Sequence, residues 1–184
     1  EFKKNPIGHH SPDLQRLLNR FRSISMENKY CLVVIRPNRE WQLAKTTGKP
    51  GVALVTSGPG GTNAMTGVCG AWIDSIPAIF ISGQVTSNTL IEGTGLRQFG
   101  IQESDIVSMV KSVTKYAVIL KDLLQVKYHL QKAIHLATTG RPGPVWLDIP
   151  LDIQSKMITP DECPSFEPEE RKASENNLLK NKVS

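Results

Sequence analysis

Val52-Ala53-Leu54-Val55-Thr56-Ser57-Gly58-Pro59-Gly60-Gly61-Thr62-Asn63 joins an apolar run, a glycine-rich turn and a helix start without a break. The run is short and continuous instead of alternating, the pattern of a strand buried on both faces. The glycines remove Cβ atoms where the backbone bends sharply, and the turn aims the first N–H groups of the helix outward, where a ligand can approach. A phosphate-binding P-loop is excluded, because Gly-Lys-Ser/Thr never follows. A dinucleotide loop is closer, since Gly58-x-Gly60 follows a strand. Yet Asn63 stands in place of the third glycine, and the acid about twenty residues on, Asp74, falls at a helix end and not at the end of a second strand. A tight βα turn without any ligand remains the third reading.

Working outward, the same kind of run recurs at Ala78 to Ser82, Tyr116 to Leu120 and Val145 to Ile149. Between the first two runs lies Thr62 to Ile73, rich in small residues and compatible with a helix. Before the last run lies Asp122 to Thr138, where Leu123, Val126, Leu130, Ala133, Ile134 and Ala137 recur at helical spacing, with Asp122 as cap and Gly140 as stop. Strand and helix in alternation predict an α/β fold, a doubly wound parallel sheet with helices on both faces. Ser104 to Val110 reads as a short helix capped by Ser104. The stretch Thr86 to Ser104 has no periodicity and is rich in Gly, Thr, Gln and Asn; a loop of that length inside a compact domain is more often functional than idle.

The ends are different. Ser11-Pro12-Asp13 starts a helix whose stripe is Leu14, Leu17, Leu18 and Phe21; Tyr30 to Ile35 reads as a buried strand and Arg39 to Thr46 as a short helix. His9-His10 has no partner at ligand spacing and reads as a solvated turn, so no metal site is expected. After Ile153 the prolines 160, 164 and 168 alternate with Asp, Glu and Ser, as in a linker. The expected division is a helical appendage over 1–27, one domain over 28–158 and a linker or tail over 159–184.

The 184 residues carry 22 basic and 17 acidic side chains, a net charge of +5. Ten of the basic and four of the acidic ones lie before residue 51, so the body of the chain is nearly neutral and no basic stripe suggests nucleic-acid binding. No apolar run is long enough for a membrane span. Three widely spaced cysteines, without a C-x-x-C pair, suit a reducing compartment, and a cytoplasmic location is expected.

Several ordered blocks carry a resemblance. They are Thr47-Gly48-Lys49-Pro50-Gly51 running on through Asn63-Ala64, Ala71-Trp72-Ile73-Asp74-Ser75-Ile76-Pro77, Ile81-Ser82-Gly83-Gln84-Val85, Ile101-Gln102-Glu103-Ser104-Asp105-Ile106-Val107, Val113-Thr114-Lys115, and Thr139-Gly140-Arg141-Pro142-Gly143-Pro144-Val145-Trp146-Leu147-Asp148-Ile149-Pro150. Over about residues 45 to 155 the chain resembles the pyrimidine-binding, N-terminal domain of thiamine-diphosphate-dependent enzymes, within them the acetolactate synthase branch. The resemblance implies decarboxylation or carboligation of α-keto acids, lyase or transferase chemistry. It also implies thiamine diphosphate as cofactor, held with Mg²⁺ by a diphosphate-binding domain on another chain or in a missing segment, in a homo- or hetero-oligomer of at least two subunits. Residue by residue, Pro59, Gly60 and Asn63 match the family's cofactor-side loop, and Gln102 matches a glutamine at the reaction centre. The plainer alternatives are a helix cap for Asn63 and a solvated loop amide for Gln102.

The chain also departs from that family. A carboxylic acid beside N1′ of the pyrimidine activates the cofactor, and the position that matches it here is Val33; Glu27 is too early and Glu40 too late. Either the amino-terminal third has been replaced or has diverged, or the chain is a glutamate-free variant. Ile101 stands where that branch has phenylalanine, and Leu151 where many members have lysine. Nothing after Ile153 offers a diphosphate domain, so the chain alone is expected to be catalytically silent: a fragment, a split subunit, or an interaction module that kept the fold. A dinucleotide oxidoreductase is the remaining class. The helix Thr62 to Ile73, with Met65, Val68, Cys69, Trp72 and Ile73 among small residues, is expected to pack on the sheet with one side and on a partner near Trp72 with the other.

Overall fold

The computed structural model describes residues 31–34, Ala44 and residues 49–168. The expected helix from Ser11, the pair His9-His10, most of the segment Arg39 to Thr46 and the tail past residue 168 lie outside the described residues.

Among the described residues five strands form one parallel sheet in the order β1-β2-β3-β5-β4: β1 (Cys31–Val34), β2 (Gly51–Val55), β3 (Ala78–Gln84), β4 (Tyr116–Ile119) and β5 (Pro144–Pro150). The α-helices whose full range falls among the described residues are α1 (Pro59–Ile73), α2 (Ile106–Val110), α3 (Val126–Thr138) and α4 (Leu151–Ser155). Each apolar run became a strand for the reason its continuity suggests. Val52, Leu54, Ile79, Ile81, Val145, Leu147 and Ile149 point to one face and meet Val126, Leu130, Ala133 and Ala137 of α3. Their neighbours Ala53, Ala78, Phe80 and Trp146 point to the other face and meet Ala64, Val68 and Ala71 of α1 with Ile106 and Val110 of α2. Both parities are apolar because both faces are covered, which is the doubly wound arrangement.

Three boundaries differ from the sequence reading. Helix α1 starts at Pro59, earlier than Thr62, because proline at the first helical position loses no hydrogen bond and already has the required φ. The cap of α2 is Asp105, whose carboxylate accepts from Ser108 N at 3.1 Å, and not Ser104. Strand β3 runs past Ser82 to Gln84, because the polar side chains that looked like its end find partners on β5. Asp122 does cap, but the 3₁₀ turn Leu123–Gln125 that leads into α3, accepting from Leu124 N at 3.0 Å.

Residues 159–166, expected as part of the tail, run back over α3. Phe166 N donates to the Gln131 side chain at 2.8 Å, and the Phe166 ring lies edge-on to Tyr128, with centroids 5.5 Å apart. Ligands of open parallel sheets bind at the carboxyl ends of the strands, and here that rim is built by the segments leaving β2, β3 and β5.

Candidate functional site

The segment leaving β2 turns at Gly58, which has φ 54° and ψ −111° and serves as the N-cap of α1. A side chain there would be strained by the backbone alone, and its Cβ would stand 2.1 Å from the carbonyl oxygen of Gln102. Two stretches 44 residues apart therefore touch backbone to backbone, which only glycine allows. The turn closes with Gly60 N donating to Ser57 O (3.3 Å) and Thr62 N to Gly58 O (3.0 Å). Pro59 and Asn63 are exposed on the rim and Gly60 is half-buried. Asn63 lies within α1, past the N-cap, so the helix-cap reading of Asn63 does not hold.

Gln102 is exposed and has a φ of 55°, one of two non-glycine residues in the left-handed region among the described residues. Its neighbour Glu103 is 8% exposed. The Glu103 carboxylate accepts three backbone N–H groups of the loop that precedes it: Ile91 N at 2.5 Å on Oε1, and Gly100 N at 2.9 Å and Phe99 N at 3.3 Å on Oε2. At the loop's start, Ser87 donates through N and Oγ to the Asp152 carboxylate of α4, at 2.9 and 3.0 Å. Gly100 is pressed on Val85, where a Cβ would come within 2.7 Å.

Beneath this loop a polar group sits inside the sheet. Asp148, 1% exposed on β5, accepts from Ser82 Oγ (2.5 Å) and from Gln84 Nε2 (2.9 Å), both on β3. Ser82 Oγ in turn accepts from the Trp146 indole at 2.8 Å, and Gln84 Nε2 also donates to the Ser104 carbonyl at 3.0 Å. Burial, with the negative charge of Asp105 in support, pushes the Asp148 carboxyl up to about 6 against the pull of its two hydrogen bonds. The chain Asp148–Gln84–Ser104 thus ties the buried sheet to the residue two beyond Gln102. A cavity of about 370 Å³ opens beside it, lined in part by Gln84, Ile91, Glu103, Ser104 and Asp148.

The structure brings the Gly58 turn and Gln102 together at one rim. Sequence reasoning gave no role to Glu103 or to Asp148 with Ser82 and Gln84. Polar residues inside otherwise apolar strands, at the parity of Phe80 and Trp146, were the signal for the latter; a buried polar group has to be partnered. Among the described residues no cluster of His, Cys, Asp and Glu is fit to hold a metal, and no helix is long and apolar enough to cross a membrane.

Residues 42–115 match the family model of the thiamine pyrophosphate enzyme N-terminal TPP-binding domain. The acetolactate synthase large subunit of Haemophilus influenzae is 44% identical over 124 residues, covering 67% of this chain and 21% of that protein. This stretch belongs to that family. The relatives agree: the large subunit of acetolactate synthase isozyme 3 of Escherichia coli is 46% identical over 111 residues (60% of this chain, 18% of that protein), and acetolactate synthase 3, chloroplastic, of Brassica napus is 41% identical over 118 residues (64% and 17%). The chain spans about a fifth of the length of these relatives. Residues 1–59 match a second model, that of the N,N-dimethylformamidase alpha subunit.

By sequence, three positions read as departures from the branch: Ile101, Leu151 and Val33. Ile101, next to Gln102, is 88% exposed, and Leu151, the first residue of α4, is 45% exposed. Val33 pairs in parallel register with Ala53 in the middle of β2, so β1 lies beside the strand that leads into the Gly58 turn, and Cys31–Val34 contains no acid.

Proposed function

We propose that the chain supplies the pyrimidine side of a thiamine-diphosphate site in an enzyme acting on α-keto acids, a decarboxylation or carboligation like that of acetolactate synthase. The observation that carries this reading is the backbone contact of Gly58 with Gln102 at the carboxyl rim of the sheet. Pro59, Gly60 and Asn63 would line the cofactor's organic ring from one side, and Gln102 would reach its reacting end. The missing Cβ atoms at Gly58 and Gly60 make room for Gln102 O and Thr56 Cγ2 of the chain itself, and what the turn leaves exposed toward a flat ring is Pro59 and Asn63. Bound there, the cofactor would supply the carbon nucleophile that α-keto acid chemistry requires.

The residues described fit holding that group and not activating it. Activation requires a carboxylic acid at the end of the strand beside β2, and Cys31–Val34 has none. No proton step is therefore assigned to this chain. The match of residues 1–59 to a second family model, that of the N,N-dimethylformamidase alpha subunit, supports the reading that the amino-terminal third was replaced. The diphosphates and Mg²⁺ would be held by a diphosphate-binding domain elsewhere, in an assembly of two or more subunits within a reducing, cytoplasmic compartment. The outer side of α1, where Trp72 is 40% and Ile73 70% exposed while Val68 is fully covered, is the face we assign to that contact.

The absent acid favours a second reading, a module that keeps the fold for protein interaction alone. Calorimetric titration with thiamine diphosphate and Mg²⁺ separates the two. Heat of binding that appears only with a diphosphate-domain partner present is the result expected of a split site; none in either case leaves the interaction module.

A further inference from the structure

We infer that Glu103 is the positioning residue of the rim: its carboxylate closes residues 91–103 into a ring and so sets Gln102 against Gly58. The inference rests on the reading above for what Gln102 is positioned to meet, but the positioning itself is read from contacts. A side chain with φ 55° is held in a conformation that costs free energy, and such a residue persists only where its surroundings over-determine it. On one side the surroundings of Gln102 are the Gly58 backbone. On the other, Glu103 turns inward and is almost fully buried, binding Ile91, Phe99 and Gly100 through their N–H groups while its own N–H donates to Gly100 O at 3.3 Å.

Two further ties fix the ring to the sheet. Gly100 rests on Val85 at the end of β3, and the Ser104 carbonyl accepts from Gln84, which Asp148 holds. Gln102 is thus the exposed residue at the closure of a ring whose other contacts are satisfied from within. The loop itself is short of apolar anchors: Leu96, Phe99 and Ile101 are all exposed, so the carboxylate takes the place that packing takes elsewhere. A carboxylate that accepts three N–H groups is well suited to this, because its two oxygens carry about four lone-pair sites, and a glutamine of the same shape keeps only one of those oxygens.

The test is amide hydrogen exchange on the full chain for the wild type, Glu103→Gln, Glu103→Asp and Gln102→Ala. Exchange at Ile91, Phe99 and Gly100 is expected to speed up about tenfold or more in both Glu103 variants, the loss of one or two hydrogen bonds to a charged group. Exchange in β2, β3 and β5 is expected to stay unchanged. Gln102→Ala should leave all of these amides as they are. In the presence of Mg²⁺ and a diphosphate-domain partner, Glu103→Gln should weaken thiamine diphosphate binding as Gln102→Ala does, although residue 103 does not reach the rim. Unchanged exchange at the three amides in Glu103→Gln overturns the inference, and so does loss of protection across the whole sheet in both Glu103 variants, which would make Glu103 a core residue. If the wild type binds no thiamine diphosphate with its partner present, the functional reading fails, and the exchange data still decide the positioning.

Discussion

The two faces of the central sheet are built differently. The face under α3 is aliphatic through its centre, from Val52 and Ile79 to Ile149, and turns polar only at its β4 edge, where Tyr116 Oη meets His129 Nδ1 of α3 at 2.5 Å. The face under α1 and α2 is apolar only at its amino end, where Phe80 stacks on Trp146 with centroids 5.4 Å apart and planes 3° from parallel. Toward the carboxyl end it turns polar, through Ser82, Gln84 and Asp148, and above those residues stands the loop that carries Gln102. One face serves cohesion; the other couples cohesion to the rim. A hydrogen-bonded group inside a sheet fixes position more narrowly than aliphatic contact does, at the cost of desolvating its members.

The largest effects should come from breaking each face in turn. Leu147→Ala on the aliphatic face is expected to lower stability by about 2–5 kcal/mol, with Leu147 fully covered. Trp146→Ala on the other face should cost about 3–5 kcal/mol and, by taking the indole from Ser82, should also move the titration of Asp148. Chemical denaturation gives the first quantity, and carboxyl NMR titration the second. If Leu147→Ala shifts the Asp148 titration as much as Trp146→Ala does, the two faces are not independent.

A smaller effect concerns pH. The carboxyl of Asp148 titrates at about 6 in the folded chain, above the value near 4 of an unfolded aspartate. The folded state therefore holds this proton more tightly. Its contribution to stability is fully present below about pH 4 and is lost as pH rises through 6, on the order of 2–3 kcal/mol in total. The difference in unfolding free energy between wild type and Asp148→Asn should fall over that window and then level off. A difference that rises with pH would mean that the hydrogen bonds from Ser82 and Gln84 outweigh burial. The smallest effect belongs to the surface pair of Lys121 with Glu92, both well exposed. Glu92→Gln should change stability by less than about 1 kcal/mol, a baseline against which the face variants are read.

The sheet was legible because its strands are buried on both sides: continuous β-branched runs admitted few other readings, and β2 to β5 begin within a residue or so of where the runs do. The boundaries that moved did so where side chains find distant partners. Ser82 and Gln84 looked like the end of a strand until Asp148, far along the chain, was seen to satisfy them. Asp105 rather than Ser104 caps α2, since a neighbouring pair of capping types does not say which one turns toward the helix. The glycine turn and Gln102 were legible as separate pieces. Their contact was not, because nothing local to either stretch encodes a backbone approach across 44 residues. Glu103 was hidden for a related reason, since a glutamate in a polar loop looks solvated until its three N–H partners are counted.

The strand order has a consequence for how the molecule comes into being. β5 sits between β3 and β4, yet it is the last strand among the described residues, and its residues pair with β3 across a separation of 66 positions. During synthesis β3 and β4 leave the ribosome with an open slot between them, which closes only after residue 150 has emerged. Until then the inner edges of two apolar strands stay unsatisfied, and pairings of such high sequence separation form slowly. The nascent chain passes through an interval in which its own centre is missing, and chaperone contact during translation should fall off only once β5 has entered the gap.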